Sequence, residues 1–207
     1  MKALALSCRC GTLRGELRGE GMVNRAVCYC RDCQTYAWAL GQQARILDEL
    51  AGTEVVATHP RNLTFSQGRD ALACLSLTPR GLLRWYAGCC DTAVANTPRN
   101  QKIAYVGIVH TCLDTSSVAQ ALGAVTMRVN TRTARGAVPS VSGLDTLKSA
   151  LQLVGSLMAA RISGSYRRNP FFSSQLNVPL LAPRVLTREE LQHARAAAMG
   201  TSTAAAR

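Results

Sequence analysis

The chain has 207 residues, 47% hydrophobic and 17% charged, which is enough to bury one substantial core and excludes disorder by composition. Its best candidate for the roughly 20 uninterrupted apolar residues of a membrane span, Leu144 to Ile162, is broken by Asp145, Lys148, Gln152 and Arg161; the apolar run at the N-terminus has neither the length nor the cleavage site of a signal peptide, so a cytoplasmic location without membrane contact is expected. The formal charge of +12 suggests nucleic acid at first, but it is unevenly spread: residues 1–114 carry 13 basic and 9 acidic side chains, whereas residues 115–207 carry 11 and 3.

In chain order, the first elements read as short strands. Lys2 to Ser7 and Thr12 to Leu17 flank Cys8-Arg9-Cys10-Gly11, the knuckle of a hairpin in which Gly11 is free to take a positive φ. Val23 to Cys28 is a third strand, and Arg31 to Leu40 follows as one or two helical turns. Ala71 to Leu77 and Leu82 to Ala87 are strands joined by Thr78-Pro79-Arg80-Gly81, whose Pro and Gly suit a type I turn. Ile103 to His110, rich in branched and aromatic residues, is another strand.

From about Asp114 the pattern becomes helical. Ser116 to Val129 is a candidate helix, and Ser142-Gly143 precedes a stronger one in which Leu144, Leu147, Leu151, Val154 and Met158 recur at spacings of three and four. That stripe needs a partner: packing on the protein's own β core is the expectation, with the seam of a homodimer as the alternative. Thr187-Arg188-Glu189-Glu190 offers a capping box for a last helix, and the residues after about Gly200 are expected to fray. The division expected is a β domain over 1–114 and a basic, largely helical extension over 115–207 packed on it.

Chemistry is concentrated in the cysteines. Nine are many for a reducing compartment, where thiols bind metal more often than they cross-link. Seven fall in three tight groups: Cys8 and Cys10; Cys28, Cys30 and Cys33; Cys89 and Cys90. Zinc takes four thiolate or imidazole ligands, and loops of a few residues bring thiolates onto one ion, so about two zinc ions per chain are expected. The first pair must find its other ligands far along the chain, and Cys89-Cys90 is the obvious source; adjacent cysteines bind one ion only if the backbone turns there, as Gly88 permits. Cys28-Tyr29-Cys30-Arg31-Asp32-Cys33 supplies three thiols and leaves a fourth position, either open to water or substrate or closed by Cys74, Cys112 or His59. Cys74 and Cys112 otherwise read as small buried hydrophobes, and the three histidines form no ligand spacing. Asp32 is placed to tune the metal or carry a proton unless it is merely exposed on the loop; Tyr29, Tyr36 and Trp38 are candidates to wall a pocket or to pack in the core.

The order Ser7-Cys8-Arg9-Cys10-Gly11, Cys28-x-Cys30-x-x-Cys33 and a cysteine motif after an aromatic strand resembles the glutathione-dependent formaldehyde-activating enzymes and their centromere-protein-V relatives over residues 2 to 110. The resemblance implies a mainly β, zinc-braced β-tent of the Mss4-like type, a structural zinc at the first cysteines, and a substrate-binding zinc at Cys28, Cys30 and Cys33. It implies carbon–sulfur lyase activity on an adduct of glutathione, or another small thiol, with formaldehyde. The chain departs from the family's aromatic-Cys-x-x-Cys-Gly motif, with Ala87 where the first cysteine belongs and Asp91 at the glycine, so either Cys89 replaces the missing ligand or the site uses three thiolates and another donor. The competing reading is a non-catalytic zinc module whose Arg-rich C-terminal part binds nucleic acid or an acidic partner; few aromatic residues and no DNA-reading finger spacing disfavour it.

Overall fold

The computed structural model describes residues 3–18, 23–173 and 175–200. Residues 201–207, where fraying is expected, lie outside the described part, as does Lys2 of the first expected strand. The architecture is mainly β, with two sheets and two cysteine clusters able to hold metal. Leu4–Ser7 (β1), Arg14–Leu17 (β2) and Leu63–Gln67 (β5) form a three-stranded sheet in the order β1-β2-β5. The larger sheet is built from Val23–Cys28 (β3), Thr53–Thr58 (β4), Leu72–Ser76 (β6), Leu83–Ala87 (β7), Thr92–Thr97 (β8) and Val106–Val109 (β9), closed at its edges by Met127–Val129 (β10) and Arg184–Val185 (β11). Its order is β10-β3-β4-β9-β8-β7-β6-β11, with parallel pairing only at the two edges.

The larger sheet is buried on both faces, and the period of two along its strands sorts side chains into two cores. Val56, Leu72, Cys74, Trp85, Val94 and Ile108 face the small sheet, meeting Leu4, Leu6, Leu13, Leu17 and Leu63. Val55, Leu75, Ala93 and Val109 face the opposite way, onto Tyr36 and Ala37 of Arg31–Ala39 (α1), Ile46 of Gln43–Ile46 (α2), and Leu186. All six residues of β8 and all four of β9 are buried, as expected of central strands with cover on both sides. Phe171 seals the first core by stacking on Trp85, with ring centroids 4.8 Å apart.

The later chain differs from the sequence-based expectation in two places. Helix Thr115–Leu122 (α3), capped by Asp114, stops at Gly123, whose φ of +72° ends the helical turn; residues 127–129 run as edge strand β10 beside β3 instead of continuing the helix. The strong helix forms as Gly143–Ile162 (α4), but its apolar stripe does not pack on the β core: Leu144, Leu147, Leu151, Val154 and Met158 are all more than half exposed, and the buried residues on this helix are Ser149 and Ala160. The last helix, Arg188–Ala198 (α5), carries the expected capping box at Thr187 and Glu190 and buries Ala194, Ala197 and Ala198; it packs against α1.

Candidate metal centres

The first cluster gathers Cys8, Cys10, Cys89 and Cys90, whose sulfurs all lie within 4.8 Å of one another. Cys8 and Cys10 stand on the knuckle between β1 and β2. Its tight turn is closed by a hydrogen bond from the Gly11 amide to the Cys8 carbonyl, 2.9 Å, with Gly11 at a φ of +76°. Gly68, at +66°, backs the same knuckle; a Cβ there would meet the Thr12 carbonyl oxygen at 2.1 Å, so only glycine fits. Cys89 and Cys90 occupy the loop of the β7–β8 hairpin. They point to one side because the chain turns at residues 88–91, where the Cys90 amide bonds the Ala87 carbonyl at 3.2 Å. The residue in the left-handed region is Asp91, φ +54°, not Gly88.

Four sulfurs at about 2.3 Å from one zinc lie about 3.8 Å apart. Here Cys8 is 3.5 Å from Cys10 and 3.8 Å from Cys89, Cys10 is 3.2 Å from Cys89, and Cys89 is 3.8 Å from Cys90. The four-sulfur set therefore fits a tetrahedral ion with little movement. Ala87 is buried in β7, and Cys89 is one of the four sulfurs gathered here. The Leu13 amide donates to the Cys8 sulfur at 3.2 Å, and the Thr12 and Thr92 hydroxyls lie 3.2 Å from Cys10 and Cys90, placed to donate to thiolates. The hydrogen bond with Thr12 leads in holding Cys10 down at about 6, while Cys89, bonded first to Cys10, is pushed up to about 12. Because β1 and β2 belong to one sheet and β7 and β8 to the other, an ion in this cluster would link the two sheets.

The second cluster, Cys28, Cys30 and Cys33, is built where β3 runs into α1. Cys28 ends the strand, Cys30 is the N-cap of α1 and accepts from the Cys33 amide at 3.4 Å, and Cys33 is buried in the first helical turn. Among the described residues no histidine, aspartate, glutamate or further cysteine joins the three. Cys74 and Cys112 lie in the first core, where burial raises the pKa of both thiols, Cys74 to about 12. His59 is buried with Nδ1 2.9 Å from the Ala104 carbonyl.

Several residues around this trio were not readable as site residues. Arg84 of β7 is 2% exposed; its Nη1 is 4.0 Å from the Cys33 sulfur and donates to Asn96 Oδ1 at 3.2 Å, while its guanidinium lies 4.9 Å from the Tyr36 ring centroid. Asn130, in the left-handed region just after β10, donates Nδ2–H to the Cys28 sulfur at 3.5 Å. The Thr133 hydroxyl and Gln34 amide donate to the Tyr29 carbonyl at 2.6 and 2.8 Å, pinning the segment between Cys28 and Cys30. Hydrogen bonds from Cys30 and then Cys33 pull Cys28 down to about 2; the same bonds raise Cys30 and lift Cys33 well above the usual thiol range.

Cys30 opens onto a cleft of about 420 Å³ lined also by Arg31, Asn130, Thr131, Arg132 and Thr133. Asp32 is exposed and lines a different cleft, between α1 and α5, with Arg195 and Met199. Tyr29 and Tyr36 are buried, and neither they nor Trp38 lines the cleft beside Cys30. No described helix is long and apolar enough to cross a membrane.

A family of unknown function, DUF6151, matches residues 1–180 and so takes in both clusters, Arg84 and Asn130. It stops short of α5. No curated protein matches the chain.

Proposed function

The chain belongs to the DUF6151 family, whose description assigns no activity, and we propose from the site itself that it is a two-zinc protein with one closed structural site and one site open to a small thiol. The observation that carries this reading is the unequal sulfur count: four mutually close sulfurs in the first cluster, three in the second beside an open cleft. A sulfur-only donor set favours zinc over hard cations. The cysteine knuckle of one sheet meeting the cysteine pair of the other supports a zinc-braced, Mss4-like β-tent.

Zinc at Cys28, Cys30 and Cys33 would supply Lewis acidity and a place for a thiol to be held as thiolate. Three thiolates around a divalent ion leave one net negative charge, and the buried Arg84 guanidinium offsets it. Asn130 and the pinned Tyr29 carbonyl hold the loop, so the cysteines meet the ion preorganised. Arg31 and Arg132, on the cleft wall, suit the carboxylates of a glutathione-like thiol. The reaction is the lyase chemistry of a thiol–aldehyde adduct: sulfur donates an electron pair to the carbonyl carbon, the carbon–oxygen π pair moves to oxygen, and the thiol proton is passed to that oxygen. Water in the cleft carries the proton, because Asp32 faces the α1–α5 cleft.

The test is NMR exchange between glutathione, formaldehyde and their adduct. Wild-type protein is expected to accelerate the exchange, and Cys28→Ser and Cys33→Ser to abolish the acceleration while remaining folded. Cys8→Ser and Cys90→Ser are expected to lose solubility or melt early, since the binding free energy of a structural zinc is folding free energy. No acceleration above free zinc would overturn the enzymatic reading.

A further inference from the structure

Helix α4 turns its large apolar side chains outward: Leu144, Leu147, Leu151, Val154, Met158 and Ile162 are between 54% and 83% exposed. At 3.6 residues per turn the six fall within an arc of about 80°. An ordinary core-facing or membrane-surface helix presents a broader apolar face, often with aromatic residues; this narrow stripe, with spacings of three and four, is that of a helix–helix seam. Gly155 and Ala159 flank it on one side, and a Cβ added at Gly155 would meet no atom within 4 Å, so a second helix can approach closely there.

We propose that α4 is the seam of a homodimer in which two copies of the helix pack antiparallel. Two arguments select a second copy of this chain. The six side chains offer on the order of 600 Å² of apolar surface, close to the about 800 Å² that each partner contributes to a standard interface. The stripe is also nearly self-complementary when reversed. Centred between Leu151 and Val154, an antiparallel pair sets Leu151 against the partner's Val154 and Leu147 against the partner's Met158, and brings Leu144 within one residue of the level of the partner's Ile162.

The charges choose the direction. Lys148 and Arg161 are the cations bordering the stripe. Parallel packing would bring each level with its own copy and align the helix dipoles. Antiparallel packing separates the two Lys148 side chains by about 14 Å and the two Arg161 side chains by about 26 Å along the axis, both beyond the Debye length of about 8 Å at physiological salt.

The test is sedimentation equilibrium on the full, zinc-loaded chain. A species of twice the 22.2 kDa chain mass is expected at micromolar concentration. Leu151→Glu combined with Val154→Glu is expected to raise the dissociation constant by at least about 100-fold, the scale of a disrupted interface centre, with unchanged zinc content. Leu147→Glu or Met158→Lys alone should weaken the dimer, and the two together in one chain should restore it, because only the antiparallel register pairs the new charges. A wild-type monomer at every concentration, a dimer indifferent to the Leu151/Val154 pair, failure of the combined charges to rescue, or a monomer that instead binds phosphatidylserine vesicles through the stripe would overturn the proposal.

Discussion

Burying a guanidinium is costly unless a negative charge faces it, and no ion pair involving Arg84 is found among the described residues. What faces it is Cys33, and three thiolates around an ion in the second cluster would supply the negative charge that makes that contact favourable. Arg84→Met is therefore expected to weaken metal binding at Cys28, Cys30 and Cys33 by roughly 10- to 100-fold, the range for a residue that orients or compensates ligands, while the first cluster keeps its ion. Two-phase metal release to a chromophoric chelator checks this: the early phase should accelerate and the late phase should not move. The clustering of the cysteines was readable in the sequence, since each group is local and its spacing suits metal geometry. Arg84 and Asn130 were not, because they stand 51 and 102 positions from Cys33 and Cys28 and reach the cluster only through sheet topology. Cys89 and Cys90 were readable as the pair that meets Cys8 and Cys10, but the device that turns both inward, Asp91 with positive φ, was not; an aspartate tolerates that region without announcing it.

At the scale of elements, strands and caps followed from local pattern more faithfully than helix environment did. Val23–Cys28 and the capping box at Thr187 and Glu190 form as the sequence suggests, because period-two burial and side-chain capping are decided within a few residues. The stripe on α4 shows the limit: a spacing of three and four predicts a helix with one apolar face, but carries no information about what covers that face. Likewise β10 is too short to signal itself, and forms because the edge of β3 offers unpaired backbone groups. Helix α5 matters to the second site through α1, against which it buries three alanines. Thr187→Ala removes the hydroxyl that accepts from the Glu190 amide at 3.1 Å and is expected to cost about 1 kcal/mol of helix stability. Hydrogen exchange should then quicken in α5 and in α1, and remain unchanged in β7 and β8; exchange that changes in α5 alone would show that the two helices are not coupled.

For the molecule as a whole, the two clusters divide the work by position. The first lies between a three-stranded sheet and an eight-stranded one, so a metal held there would contribute to the stability of the fold. The second stands at one edge of the larger sheet, where β3, α1 and the segment after β10 converge beside a cleft, so a metal held there would be accessible to a small molecule. The basic C-terminal part is tied into this arrangement, since β10 and β11 extend both edges of the sheet and Asn130 reaches the Cys28 sulfur. The measurement that tests the two-site account most directly is zinc K-edge X-ray absorption on the fully loaded protein, with and without glutathione. Four sulfurs at one site and three at the other predict an average of about 3.5 sulfurs per zinc with a light-atom ligand making up the remainder, rising to about 4 when glutathione is added. An average of four sulfurs before any thiol is present, or one that glutathione leaves unchanged, would contradict it.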